Sequence, residues 1–289
     1  MYVDTSPSDA GAAVRSLPRM DGCARVGFAV RDGESRLSAL DQRSPLRVLF
    51  PRTETEEPPL AAVTTVSGGL VGGDSLSVAI VIGEGARAVA IGQAAEKIYR
   101  STGPDSRVDI ALDVAPDGWL EWLPQETILF DGARLSRRTR IEADPRAKLL
   151  AGECVVFGRL ARGETMRYGL VRDRWEVRRG GRLVWADALL LEDDICEALD
   201  ATSGFGGARA YATAVYVGPD AAEFLEPAKR FVGQGQDIRS GATCVAGVLI
   251  ARWLGADPLR LRYAFESYWI AMREIAGGLS GRLPRLWYV

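Results

Sequence analysis

Four short stretches of the chain join glycine or proline corners to charged side chains, the setting in which strand-ending loops present chemistry. They are GGLVGGD (68–74), ending on Asp74, and GQAAEKIYR (92–100), where Glu96, Lys97 and Arg100 crowd Tyr99. The others are LPQETILF (123–130), with Glu126, and GRLARGE (158–164), with Arg159, Arg162 and Glu164 around Gly158 and Gly163. Carboxylates at such corners can ligate a hard cation, work as acid and base, or simply pair with neighbouring cations and cap backbone amides. Histidine is absent from the chain. That removes Ser-His-Asp and Cys-His nucleophile systems, imidazole metal cages and any histidine acid or base. Cys23, Cys154, Cys196 and Cys244 are far apart and form no C-x-x-C pair, a pattern of reduced thiols rather than of a disulfide framework or a zinc knuckle.

The glycine-dense SGGLVGGD (67–74) fails as a phosphate cradle. A P-loop needs Gly-Lys-Ser/Thr after four spacers, and a dinucleotide fingerprint needs Gly-x-Gly-x-x-Gly leading into a helix. Here Gly68, Gly69, Gly72 and Gly73 lead to Asp74 and then to SLSVAIVIGEGA, a strand and a turn. These glycines are expected to let the chain turn tightly and to hold Asp74 at the turn's end, either capping amides or facing a conduit. Glu126 and Glu164 are the candidates for a glycosidase acid and base, with Trp119, Trp122, Trp175 and Trp185 as a sugar platform. The alternation of these tryptophans with apolar neighbours favours core packing instead.

The elements that must position these residues are mostly strands. Period-two alternation marks RVDIALDVAPDG, with Val108, Ile110, Leu112 and Val114 on one face, and ETMRYGLVRD. RWEVRRGGRLVWAD is a hairpin turning at Gly180-Gly181. Three segments, VAIVIGEGARAVAIGQ, IALDVAPDGWLEWLPQ and TRIEADPRAKLLAGE, each run strand, corner, strand. They recur roughly every 30 residues with a drifting period, which points to stacked β layers ahead of an ordinary β-sandwich. Helix signals fall in the C-terminal third. Asp257 caps, Pro258 opens and Gly277-Gly278 close a helix whose stripe is Leu261, Phe265, Tyr268, Met272 and Ile275. PDAAEFLEPAKRFV can hold a second helix limited by Pro227, and ATCVAGVLIARWLG reads as one buried strand. The expected organisation is therefore mainly β, stacked solenoid-like layers with one or two α-helices. Residues 1–20 form a flexible leader and residues 21–289 a single β-rich domain.

The net charge of −2 gives no electrostatic footprint for nucleic acid. No apolar run approaches the roughly 18 residues of a membrane span. The N-terminal MYVDTSPSDAGAAVRS carries acids and a proline where a signal peptide has an apolar core. A cytoplasmic protein is expected.

Taken together and in order, SGGLVGGD, QAAEKIYRS, LEWLPQETILF, GRLARGE and the closing LPRLWYV resemble the urease accessory protein family UreD, also called UreH. The resemblance runs from about Arg25 to the C-terminus. It implies a mostly β, solenoid-like scaffold with two helices, not an enzyme, acting in nickel delivery to apo-urease. It also implies a UreF-type accessory protein as partner, a UreG-type GTPase recruited by that pair, the urease apoprotein as recipient, and an internal tunnel for nickel. On that reading no cofactor is held tightly and Ni²⁺ passes transiently. Asp74, Glu96, Glu126 and Glu164 are the acids expected along its path. Weak oxygen ligands suit a conduit that must release its ion. The chain departs from the family where members often carry a histidine before the double glycine and this sequence has TTVSGG. Cys154 offers a substitute soft ligand, against the simpler reading of a buried thiol in the apolar run CVVFG. The alternative function is a β-helix carbohydrate-active hydrolase with paired carboxylates.

Overall fold

The structure is a computed structural model that describes residues 19–54, 56–233 and 237–288. The expected leader therefore lies outside the described residues, apart from Arg19 and Met20.

The strands are β1 (Asp21–Arg31), β2 (Glu34–Arg43), β3 (Leu46–Leu49), β4 (Leu60–Thr65), β5 (Ser75–Ile82), β6 (Arg87–Gln93), β7 (Glu96–Ile98) and β8 (Ser106–Val114). They continue as β9 (Trp119–Leu123), β10 (Thr127–Leu129), β11 (Arg134–Ala143), β12 (Lys148–Phe157), β13 (Tyr168–Arg179) and β14 (Arg182–Asp194). After helix α1 (Ile195–Asp200) come β15 (Ala210–Val217), α2 (Leu225–Val232), β16 (Ile238–Val245), β17 (Val248–Gly255) and α3 (Pro258–Gly277).

The repeat of roughly 30 residues is the rung of a β-solenoid. Each repeat sends its first strand to one sheet and its second to another. Thus β5, β8 and β11 lie side by side in parallel, with Ser75 opposite Arg107 and Ser106 opposite Leu135. Likewise β6, β9 and β12 stack in parallel, with Trp119 between Arg87 and Lys148. One seven-stranded sheet runs β14-β13-β11-β8-β5-β1-β2, and a ten-stranded sheet runs β16-β17-β15-β12-β9-β6-β4-β3 with β10 and β7 branching from β12. Short strands β7 and β10 add a third side, β10 lying parallel to both β7 and the end of β12.

One apolar core fills the space between the sheets, and a second joins the outer face of β9, β12, β15 and β17 to the helices. Strand β9 divides itself between them. Leu120 and Trp122 point into the intersheet core, while Trp119 and Leu123 point at the helices. All five of its residues are buried, as in a strand covered on both faces, and the one charged residue among them is Glu121.

Helix α3 starts as expected, the Asp257 carboxylate accepting from the amides of Leu259 (2.8 Å) and Arg260 (3.3 Å), and Gly278 closes it with φ 59°. Its stripe differs at the last turn. Ile275 is 40% exposed and Ala276 faces inward, because a 3.6-residue period drifts off a strict three-four step. Pro227 lies in the first turn of α2, where its missing N–H has no intrahelical partner to lose, and the helix is confined, as expected, to Leu225–Val232 of the segment PDAAEFLEPAKRFV. Two further features differ from the sequence expectation. ATCVAGVLIARWLG spans two strands, because Ala246 and Gly247 both take positive φ (49° and 78°) and turn β16 back against β17 as a hairpin. A third helix, α1, is capped by Asp194, whose side chain accepts from Glu197 N.

Candidate functional site

Between the sheets lies a cavity of about 180 Å³, lined by Val78, Ile110 and Leu135 of one sheet and by Val63, Trp122 and Gly152 of the other. That is room for on the order of ten waters. Its rim is built from residues 67–69 and 92–97, so two of the stretches singled out in the sequence meet here.

Glycine is required at this rim for contact as well as for turning. Gly69 has φ +141°, and a Cβ there would sit 2.5 Å from the Lys97 carbonyl oxygen. The close approach lets Leu70 donate to Lys97 O and accept from Tyr99 N, at 2.7 and 2.8 Å. At Gly72 the backbone is ordinary, yet a Cβ would fall 2.1 Å from Ser101 Oγ.

The four acids take separate places. Asp74 is buried and spends its two carboxylate oxygens on the amides of Met20 and Val71, at 2.9 Å each. It clasps the turn. Glu96 is half-buried and lines the cavity, where its carboxylate accepts from Thr65 Oγ1 at 2.5 Å. Burial pushes its carboxyl above the usual range, more than the Thr65 hydrogen bond pulls it down. Glu126 is one position from Thr127, the residue in register with Glu96. Alternation turns it the other way, into an open groove against α3, where Arg262 Nη1 donates to both its oxygens (2.6 and 2.7 Å). Glu164 takes a forked pair of bonds from Arg159, one at 3.1 Å, and also accepts from Asp131 N. The Arg159 bonds hold its carboxyl below the usual range. The Arg159 guanidinium lies 4.4 Å over the Phe130 ring, and Arg162 is exposed at the groove wall on a single 3₁₀ turn (Leu160–Arg162). Of the four acids, Glu96 alone is among the cavity's lining residues.

The inner end of the cavity carries a polar cluster that motif reading missed. Arg137 of β11, Glu153 of β12 and Asp173 of β13 are all buried. Arg137 Nη2 lies 2.6 Å from Glu153 and 2.5 Å from Asp173, and its Nε donates to the second Asp173 oxygen. Its Nη1 reaches Thr127 Oγ1 at 3.2 Å. Tyr211 OH donates to Asp173 (2.6 Å) and Trp175 Nε1 to Glu153 (2.9 Å). One guanidinium thus serves two carboxylates. Burial, with the charge of Asp173 alongside, pushes the Glu153 carboxyl well up. Asp173 feels the same burial, but Arg137 and the hydrogen bonds it receives outweigh it and hold its carboxyl down. A signal did exist in the sequence: Arg137 and Asp173 occupy inward positions of alternating strands, beside Leu135 and Thr139 and between Val171 and Trp175.

Cys154 neighbours Glu153 but points to the opposite, helix-covered core, and burial pushes its thiol well up. Among the described residues no three Cys, Asp or Glu side chains converge as a metal cluster. The paired-carboxylate hydrolase finds no support in this geometry: Glu126 and Glu164 each hold an arginine of their own. Trp119 faces one core, whereas Trp122 and Trp175 face the other.

Fold and site together define a β-solenoid scaffold whose polar-ended cavity lies inside the stack of rungs. The family model described as UreD urease accessory protein matches residues 20–288. A urease accessory protein UreD of Magnetococcus marinus (strain ATCC BAA-1437 / JCM 17883 / MC-1) is 45% identical over 272 residues, covering 93% of this chain and 94% of its own. One from Rhodopseudomonas palustris (strain BisB5) is 41% identical over 291 residues, covering 99% of each chain. The chain belongs to the UreD urease accessory protein family. Among the described residues no helix is long and apolar enough to cross a membrane.

Proposed function

We propose that this chain is a non-catalytic nickel chaperone of urease maturation that works in the cytoplasm and passes Ni²⁺ as cargo through the intersheet cavity. The observation that carries this reading is the cavity's donor set: Glu96 at the rim, and Glu153 with Arg137 at the inner end. Separated carboxylates bind a borderline cation loosely, and a carrier must release its ion. Burial raises the carboxyls of Glu96 and Glu153, so cation binding in the cavity competes with protons more than it would at exposed acids. Asp74, Glu126 and Glu164, expected along the path, serve this reading as scaffold: they fix the rim turn, α3 and the 158–164 loop.

Partners complete the role. A UreF-type accessory protein binds the scaffold, a UreG-type GTPase joins that pair, and the urease apoprotein receives the metal, with no nucleic acid or membrane involved. The open groove of about 1070 Å³ beside α3, where Leu259, Tyr263 and Tyr288 are exposed, is a surface on which such a partner can dock.

The test is co-expression with the same organism's urease genes, with this gene deleted, restored, or restored as Glu153→Gln. Urease nickel content and activity should both fall on deletion and return with the intact gene, and should stay low with the variant. Nickel-loaded, active urease forming equally well without the gene at ordinary nickel levels refutes the role. Full loading by the variant refutes the path.

A further inference from the structure

Strand β2 is an edge of the seven-stranded sheet, ten residues long and exposed along almost all of it. Such an edge is a template for another strand. Its pairing with β1 fixes where each side chain points, because opposed residues share a face. Val26 and Phe28, buried in the intersheet core, oppose Leu40 and Leu37, so these leucines point to the core side. They nonetheless remain 42% and 39% exposed. Cys23, Arg25, Ala29 and Arg31 lie on the other face, and their partners Arg43, Asp41, Arg36 and Glu34 point outward.

The strand ESRLSALDQR is its own antiparallel complement. Two copies laid edge to edge about its centre put Leu37 opposite Leu40, Arg36 opposite Asp41, Ser35 opposite Gln42 and Glu34 opposite Arg43, each pair occurring twice by symmetry. A two-fold axis normal to the sheet keeps every side chain on its own face. In a regular strand this register would therefore oppose side chains from opposite faces. The irregularity between Gly27 and Phe28 of β1 leaves Ser38 as an extra residue of β2 and shifts the alternation by one. All four pairs then share a face.

We propose that a second copy of this chain docks through β2, joining two seven-stranded sheets into one and covering Leu37 and Leu40. Charged edges normally keep strands apart, and these charges reject the wrong registers. Sliding one face-preserving step either way sets Arg36 against Arg43, or Glu34 against Asp41. The existing bonds of Arg36 to Glu34 (3.1 Å) and Arg43 to Asp21 (2.7 Å) are exposed and rearrange cheaply. The pairing is independent of the nickel reading.

Sedimentation equilibrium of the full chain tests it. The wild type should form a reversible dimer in the micromolar range. R36E and D41R each oppose like charges twice, and should each raise the dimer Kd at least about tenfold. An equimolar mixture of the two variants should recover the dimer, because each then supplies the charge its partner lacks. Recovery on mixing also shows that neither variant has misfolded; if either fails to fold, E34R and R43E make the same test at the strand's ends. A monomeric wild type, single variants that dimerise like it, or a mixture that stays monomeric overturns the proposal.

Discussion

The two faces of the ten-stranded sheet each set one buried arginine between two acids, and the two clusters differ in what surrounds them. On the helix side Arg273 of α3 holds Glu121 of β9 (3.0 Å) and Glu57, and it also donates to the Ser280 and Arg282 carbonyls. Trp269 Nε1 donates to Glu121 as well, at 2.9 Å. On the inner side Arg137 holds Glu153 and Asp173 beside an open cavity. The residue types match, but the consequences are opposite in sign. Burial alone would raise the Glu57 carboxyl, yet its hydrogen bonds to Arg273 and Ser280 bring it below the usual range, whereas Glu153 is pushed well above it. An arginine and a buried acid packed by tryptophan, with Glu57 and backbone carbonyls closing the other side, act as a lock. The same residue types at the end of a cavity keep a protonatable oxygen within reach of a guest.

The largest effect that can break this comparison comes from the lock. Arg273→Met leaves Glu121, fully buried, without its cation, and should lower stability by about 3–5 kcal/mol in urea denaturation. A loss below about 1 kcal/mol would mean that α3 is held by its apolar face alone. Next in size, Asp74→Ala frees two amides at the rim and should cost about 2 kcal/mol. If it lowers urease activation with stability unchanged, Asp74 belongs to the path and not to the clasp. Glu153→Gln keeps the shape and the hydrogen-bonding capacity of a carboxyl that already favours its proton, and should shift stability by under about 1 kcal/mol.

The pH dependence separates the clusters by sign. Glu153 keeps its proton in the folded chain where the unfolded chain, titrating near 4.5, has lost it. Its contribution to folding is complete below that pH and is lost as pH rises through the raised value. Glu57, held below 4.5, contributes above that pH and loses its contribution as pH falls through the lowered value. Stability–pH curves of Glu153→Gln and Glu57→Gln should therefore flatten on opposite sides of pH 4.5. Flattening on the same side would erase the distinction between lock and site. The smallest effect should be Arg162→Ala, within about 0.5 kcal/mol at an exposed position; it sharpens the contrast by leaving both clusters untouched.

Much of the architecture was legible locally. The strand–corner–strand repeat became the rungs, Gly180-Gly181 turned the β13–β14 hairpin with φ of 54° and 76°, and Asp257 with Pro258 opened α3. These are near-neighbour effects, decided by backbone sterics and capping within a few residues. Legibility ended where a residue's role depends on which face it shows to a distant strand. Glu96 and Glu126 stand in similar motifs, yet one lines the cavity and the other meets Arg262 of α3. Glu153 and Cys154 are adjacent and belong to different cores.

The sequence by itself determined that the chain stacks β rungs, lacks imidazole chemistry and carries the motifs of its family. The tertiary structure alone decided which acids meet. Arg137, Glu153 and Asp173 come from three strands and Glu57, Glu121 and Arg273 from equally distant segments, so each charge found its partners only when the sheets closed on one another. Burying a charge is tolerable only with a partner in place, and that pairing is a property of the closed fold, not of any stretch of chain within it.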